Sequence, residues 1–372
     1  MQKTLHKAAV SDTGPKHYTQ QQMDQFAEAH ERFARRQLRG HRAIWRFLQL
    51  QDMDFGNRLL CDADITGSNL QRARLVRTDL QRASLFCADL SDVDARGADL
   101  RRADIRGVSL RHANLAGANL NDADLRQAVL ARTSATGGFQ LIGRSATAGR
   151  HGGEPNFSVD FSNASLKGAK LQSAKMARAD FSGALLNGAD LSGANLEGAN
   201  FDGAVLIDTK TTNARLSKYA LLNCVLNPTP EAITQAGVLI GRLDEADRWY
   251  ATNAAEGRGA VLDGEDLRPL GAIFEQRRLT AMSAKRTLAV GVSFKGAQLQ
   301  GACFDDADLR DADFTRADLR GASFRGANLH HARFDDADMR PLPLSTGGFR
   351  AVDFEDADFA SKPNARAEPP PA

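Results

Sequence analysis

The chain has 372 residues and 42% apolar content, yet only 2 Trp and 3 Tyr, so two or three ordinary globular cores would have to be built almost wholly from Ala, Leu and Phe. Forty-eight basic residues against 46 acidic ones leave +2, which excludes a uniformly basic nucleic-acid binder and a uniformly acidic tail. Four Cys without a CxxC pair make neither a disulfide framework nor a zinc site, and neither a run of 18 apolar residues nor a signal-peptide core is present, so a cytoplasmic protein without metal or cofactor is expected.

In chain order, the first predicted element is a helix over residues 19–39. Thr19 can cap it, and Met23, Phe26, Ala27, His30, Phe33, Ala34 and Leu38 share one face. Arg32, Arg35, Arg36 and Arg39 fall on the opposite face at 100° per residue. Residues 1–49 thus read as a disordered start followed by an amphipathic cap for whatever comes next, with attachment to a membrane surface or an acidic partner as the alternative.

From Ile65 to Leu130 every fifth residue is Ile or Leu, with Ala95 the one exception, and the residue two places earlier is almost always small. The unit is small-x-Leu-x-x, plain in ADLRR and ANLAG. It returns in a second register from Phe161 to Leu226 and in a third from Phe294 through Leu344, Phe349 and Phe354 to Phe359. A period of five suits neither the 3.6 of a helix nor the 2 of a free strand.

These tandem A(D/N)LXX units resemble the pentapeptide-repeat family, over roughly 210 residues in three blocks. The resemblance implies an all-β solenoid: a right-handed quadrilateral β-helix of four pentapeptides per coil, its central Leu or Phe and the preceding small residue turned inward. Coils stacked about 4.8 Å apart would pair one turn's backbone with the next, and several together would bury an interior that one cannot. Phe and Leu alternate strictly from Phe294 to Phe334, so the Phe side chains should stack in columns on opposite corners.

Between Leu130 and Phe161 the repeat is interrupted, and residues 133–156 read as a Gly-rich projecting loop and a candidate contact site. Its Gly137, Gly138, Gly152 and Gly153 lack the GxxxxGK[ST] context of a phosphate cradle. The first β-helix is assigned to residues 50–226, a helical linker or cap to 227–259, a second β-helix to 260–360 and a disordered tail to 361–372. Two observations suggest a duplication: Arg32, Phe33, Gly40 and Ala43 match Arg248, Trp249, Gly257 and Ala260, and TGGF occurs at both 136–139 and 346–349. The expected fold is therefore two modules, each preceded by a capping helical segment.

Charge is unevenly spread, +5 over residues 1–49 and −5 over 291–359. The acidity lies in FDDAD at 304, FDDAD at 334 and FEDAD at 354, which nominates Asp305, Asp306, Asp335, Asp336, Glu355 and Asp356; by their spacing the last two share a face and the first lies opposite. Some members of the resembled family imitate DNA toward type II topoisomerases, but a coil rise of about 4.8 Å should then show nearly three charges to match one per ~1.7 Å of duplex. The acidic module offers about half of that.

No His lies at a metal-ligand spacing, the recurring Asp or Asn reads as a demand of the repeat, and His330 and His331 are expected outside. Cys224 is expected inside, and Cys61, Cys87 and Cys303 outside. The expected function is a non-enzymatic scaffold for a protein partner, without direct nucleic-acid binding; a topoisomerase-directed DNA mimic and a membrane-surface adaptor are the alternatives. A homodimer is compatible with either.

Overall fold

The computed structural model describes residues 18–126, 130–133, 139–142, 159–252, 256–345 and 347–359. The chain divides into two compact units, Met1–Asn227 and Pro228–Ala372.

Both units are built from one device. Parallel bridges join residues twenty apart, such as Ile44 to Asp64 and Gln49 to Asn69, so four pentapeptides close each coil. Each side contributes a single bridged residue, because the residues beyond it turn the corner. The pairing is β in kind but is carried by isolated bridges, not by extended strands.

The pentapeptide Asn69–Ala73 accounts for all five of its amide hydrogens. Asn69 N–H donates to the Leu48 carbonyl at 2.9 Å, Leu70 to Asp89 at 2.7 Å and Arg72 to Ser91 at 3.0 Å, all in neighbouring coils. Ala73 N–H closes the turn onto Leu70 at 2.9 Å. The remaining donor, Gln71 N–H, goes to the Asn69 Oδ1 at 3.0 Å. A short side chain bearing an acceptor is needed at that place, which is why Asp or Asn precedes the central residue so often.

The second turn residue takes a left-handed conformation, as at Gly67 (φ 66°) and Asp62 (φ 62°). At Ala281 (φ 56°) an exposed side chain without polar atoms occupies this place. Ala281→Gly is expected to stabilise the second unit by about 0.5–1 kcal/mol, the relieved strain exceeding the added chain entropy. Urea unfolding checks it, and a lowered midpoint would refute it.

The interior is one side chain wide. Phe161, Phe181 and Phe201 stack at 5.1 and 5.0 Å, close to the spacing between coils. In the second unit Phe294, Phe314 and Phe334 form one column and Phe304, Phe324 and Phe354 another, meeting edge to face between columns. Where the central residue is Ala, the inward position two places earlier is enlarged: Val93 faces Ala95 and Met282 faces Ala284, all buried. Interior hydroxyls donate to the central carbonyl one coil below, Thr78 Oγ1 to Phe55 O at 2.8 Å and Thr209 Oγ1 to Leu186 O at 2.7 Å.

Helix α1 (Gln20–Ala34) starts at Thr19 with a capping box to Gln22 and buries Met23, Ala27 and His30. Helix α2 (Pro230–Ala251) starts at Thr229 and buries Leu239, Leu243 and Ala246. Both triplets have i, i+4, i+7 spacing, and their apolar members join the core of the coils that follow. In each unit one coil arginine bridges two helix carboxylates: Arg58 reaches Asp24 and Glu31, and Arg277 reaches Asp244 and Asp247.

The helix predicted over 19–39 is shorter. Gln37 N–H donates to Arg32 O and Arg36 N–H to Phe33 O, a Schellman motif with left-handed Arg36 (φ 54°) where glycine is usual. Arg35, Arg36, Leu38 and Arg39 therefore lie beyond the helix, and only Arg32 of the four arginines is on it.

Among the described residues two hairpins interrupt the coils. Strand β1 (Leu130–Thr133) pairs antiparallel with β2 (Phe139–Ile142), so Leu130 belongs to a hairpin and is not the last central residue of its block. Strand β3 (Leu342–Pro343) pairs with β4 (Phe349–Arg350), and the bridges resume thirty residues apart, Ser323 to Asp353. Leu344 and Phe349, expected inside, are exposed. The insertion is ten residues long, so the period of five runs through it undisturbed.

Candidate functional site

The nominated acidic residues occupy turns, and the second hairpin rearranges their faces. The doublet at 354 follows Phe354, which stacks on Phe324 and through it on Phe304; the doublet at 334 follows Phe334 in the other column. Asp305, Asp306, Glu355 and Asp356 therefore share a face, and Asp335 and Asp336 lie opposite. This reverses the order that spacing alone implied.

Asp305 is committed to the fold. Its Oδ1 accepts from Ser323 Oγ and, at 3.2 Å, from Arg325 N–H. The same substitution of roles recurs where Ser occupies the bridge: Asn121 serves Ser165 and Lys167, and Asp263 serves Ser283 and Lys285. Burial raises the Asp305 pKa, but the hydrogen bonds outweigh it and hold the carboxyl below its usual range. Glu355 is paired with Arg325. Asp306, Asp336 and Asp356 sit at left-handed corners, φ 55–59°, where Asp is among the best tolerated residues after Gly. With Asp335 they are exposed and form no ion pair with a described residue.

Several other wall carboxylates are neutralised in place by an Asp-x-Arg pattern. Arg96 grips Asp94 with Nε at 2.9 Å and Nη2 at 2.8 Å, and Asp104–Arg106, Asp124–Arg126, Asp308–Arg310, Asp318–Arg320 and Asp338–Arg340 repeat the fork. Arginine hydrogen bonds keep Asp94 and Asp338 below the usual carboxylate range. The outward acidity is consequently smaller than the residue count.

The two hairpins share the sequence TGGF. Thr133 pairs with Phe139 across SATGG, and Pro343 pairs with Phe349 across LSTGG. In the second hairpin Leu342 rests against the coil at Gly321, where a Cβ would lie 2.9 Å from the Leu342 Cβ. Phe349, 66% exposed, and Leu344 face outward. Of the loop predicted over 133–156, the rest, including Gly137, Gly138, Gly152 and Gly153, lies outside the described residues, as do residues 1–17 and the tail.

Cys224 Sγ donates to Phe201 O at 3.1 Å, and burial pushes its thiol up to about 11, so it acts like the interior hydroxyls. Cys87, expected outside, is 9% exposed. His330 is also buried, with Nε2 at 2.9 Å from Asp358. Among the described residues no group of His, Cys, Asp or Glu is placed to hold a metal, and no helix is long and apolar enough to cross a membrane.

His30 was legible only as part of an apolar stripe. Its Nδ1 accepts from Ala43 N–H at 3.0 Å, so Nε2 carries the hydrogen and donates to Cys61 O at 2.9 Å. Burial holds its pKa below the ordinary value of 6.5. The unfolded chain takes up a proton as pH falls through about 6.5 while the folded chain does not, so stability should decline from there downward. Unfolding of the protein at pH 7.5 and 5.5 is expected to show this loss, and His30→Gln, which can keep both hydrogen bonds, to remove the slope. An unchanged slope would refute the assignment.

A stacked coil of five-residue units, each with an inward pair and a carboxamide- or carboxylate-capped turn, defines a pentapeptide β-solenoid. The family described as pentapeptide repeats matches in eight copies, at residues 49–82, 63–102, 83–122, 109–137, 158–183, 184–218, 278–311 and 302–340, more than half of the chain. The chain belongs to that family, whose members form right-handed quadrilateral β-helices.

Among solved structures, HetL, a pentapeptide repeat protein involved in heterocyst differentiation regulation in the cyanobacterium Nostoc, is 22% identical over 86% of this chain and 96% of its own, with a TM-score of 0.32. QnrB1, a plasmid-mediated fluoroquinolone resistance protein, is 19% identical over 55% of this chain and 92% of its own, with a TM-score of 0.27. A pentapeptide repeat protein of the Arabidopsis thaliana thylakoid lumen is 23% identical over 45% and 74%, with a TM-score of 0.22. No curated protein matches.

Proposed function

We propose that the protein is a non-catalytic scaffold, two capped β-helical modules that hold a protein partner through the inserted hairpins. One observation carries this reading: the polar residues recurring on the walls are used by the fold, in Asx turns and Asp-x-Arg pairs, whereas the second hairpin presents Phe349 and Leu344 to solvent. Aromatic side chains on a rigid support are the usual anchors of protein interfaces.

Affinity capture with Phe349→Ser/Leu344→Ser, and with residues 136–156 deleted, tests it. Loss of a specific partner from either variant is expected; retention by both would count against the scaffold. DNA imitation is the weaker reading, since Asp308, Asp318 and Asp338 are each gripped by an arginine. Purified protein is accordingly expected to leave gyrase supercoiling unchanged.

A further inference from the structure

The segment that follows α1 gathers exposed, unpaired arginines around an exposed apolar side chain. Coil arginines such as Arg72, Arg82, Arg101 and Arg126 hold carboxylates at 2.6–2.7 Å. Arg35, Arg36 and Arg39 are exposed and form no ion pair with a described residue. Between them Leu38 is 91% exposed, the most protruding large apolar side chain among the described residues. Arg36 (φ 54°) and Arg39 (φ 60°) are both left-handed, so the chain reverses tightly on either side of it.

Other exposed apolar side chains flank this turn in sequence. A Cβ on Gly40 would lie 2.2 Å from Phe33 N, which fixes the turn against the end of the helix. The His30 ring stacks on Phe33 at 5.8 Å and accepts from Ala43, whose successor Ile44 is exposed, as are Phe33 and Phe47.

We propose that this turn is a membrane-contacting tip for anionic lipid surfaces, with Leu38 as the inserted side chain and Arg35, Arg36 and Arg39 as headgroup contacts. A projecting aliphatic group ringed by unpaired cations suits the bilayer boundary, where the apolar tip enters the acyl region and the guanidinium groups meet phosphate. A polyanion such as an acidic peptide would satisfy the arginines but leave Leu38 in water. The contact is a rigid turn, unlike the helix face that the sequence suggested.

Co-sedimentation of the full chain with phosphatidylcholine vesicles, with and without phosphatidylglycerol, tests the proposal. Binding is expected only with phosphatidylglycerol present. Leu38→Asp should weaken it at least about tenfold, and Arg35→Gln/Arg36→Gln/Arg39→Gln about a hundredfold, at roughly fivefold per arginine. The exposure of all four side chains means that both variants should keep the thermal transition of the parent. No binding to the anionic vesicles, equal binding to both vesicle types, or binding that Leu38→Asp leaves intact would overturn the proposal, the last outcome pointing instead to an acidic macromolecule.

Discussion

Phe314→Ala is expected to destabilise the second unit by about 4 kcal/mol, the middle of the range for a buried Phe. The ring is fully buried and lies in the middle of its column, 5.0 Å from Phe294 and 5.2 Å from Phe334, with edge contacts to Phe304 and Phe324 at 5.7 and 5.5 Å. Removing it opens a cavity that the hydrogen-bonded coils on either side resist closing. Phe314→Leu keeps a large side chain that the interior already uses at other corners, so it should cost only about 1–1.5 kcal/mol. Chemical denaturation of both variants separates a packed interior from a loosely filled one. Equal effects of the two substitutions would contradict the columnar account.

The second large effect concerns the glycines behind the helices. A Cβ on Gly40 would lie 2.2 Å from Phe33 N, and one on Gly257 would lie 2.2 Å from Glu245 O and 3.0 Å from Trp249 N. These contacts are with helix backbone, which cannot move without undocking the helix. Gly40→Ala and Gly257→Ala should each cost about 3 kcal/mol, and Gly257 bears the added strain of φ +79°. Hydrogen exchange should show the amides of residues 23–34 losing protection in Gly40→Ala while distant coils keep theirs. Retained protection would mean that the helix is held chiefly by other contacts, such as Arg58 with Asp24 and Glu31.

These glycines also show how far the sequence carried. The matches of Phe33 with Trp249 and Gly40 with Gly257 were visible as letters, but the shared contact between glycine and helix backbone was not. The repeat was visible because one side-chain pair per five residues must point inward. Three features stayed hidden for physical reasons. A ten-residue hairpin preserves a five-residue period, so Leu344 and Phe349 looked internal and the acidic doublets were assigned to the wrong faces. Volume exchange between paired positions, as in Met282 with Ala284, erases the small-x-Leu signature while keeping the core filled. The helix stop at Arg36 escaped because the left-handed residue that closes its Schellman motif is an arginine and not a glycine.

The wall residues follow the same logic. Asp305 looked like half of an acidic contact doublet, yet it replaces the acceptor that Ser323 cannot supply to Arg325 N–H. A doublet at a corner arises because one position welcomes an acceptor and the next tolerates a left-handed turn. Composition therefore overstated how much charge is free to meet a partner.

The separation of fold-bound charge from contact surface is tested most directly by comparing two variants in the same partner-capture assay. One carries Phe349→Ser and Leu344→Ser on the hairpin, and the other carries Asp306→Asn, Asp335→Asn, Asp336→Asn and Asp356→Asn on the corners. The scaffold reading predicts that the first loses its partner and the second keeps it. Capture abolished by the asparagine variant and unaffected by the hairpin variant would contradict the account.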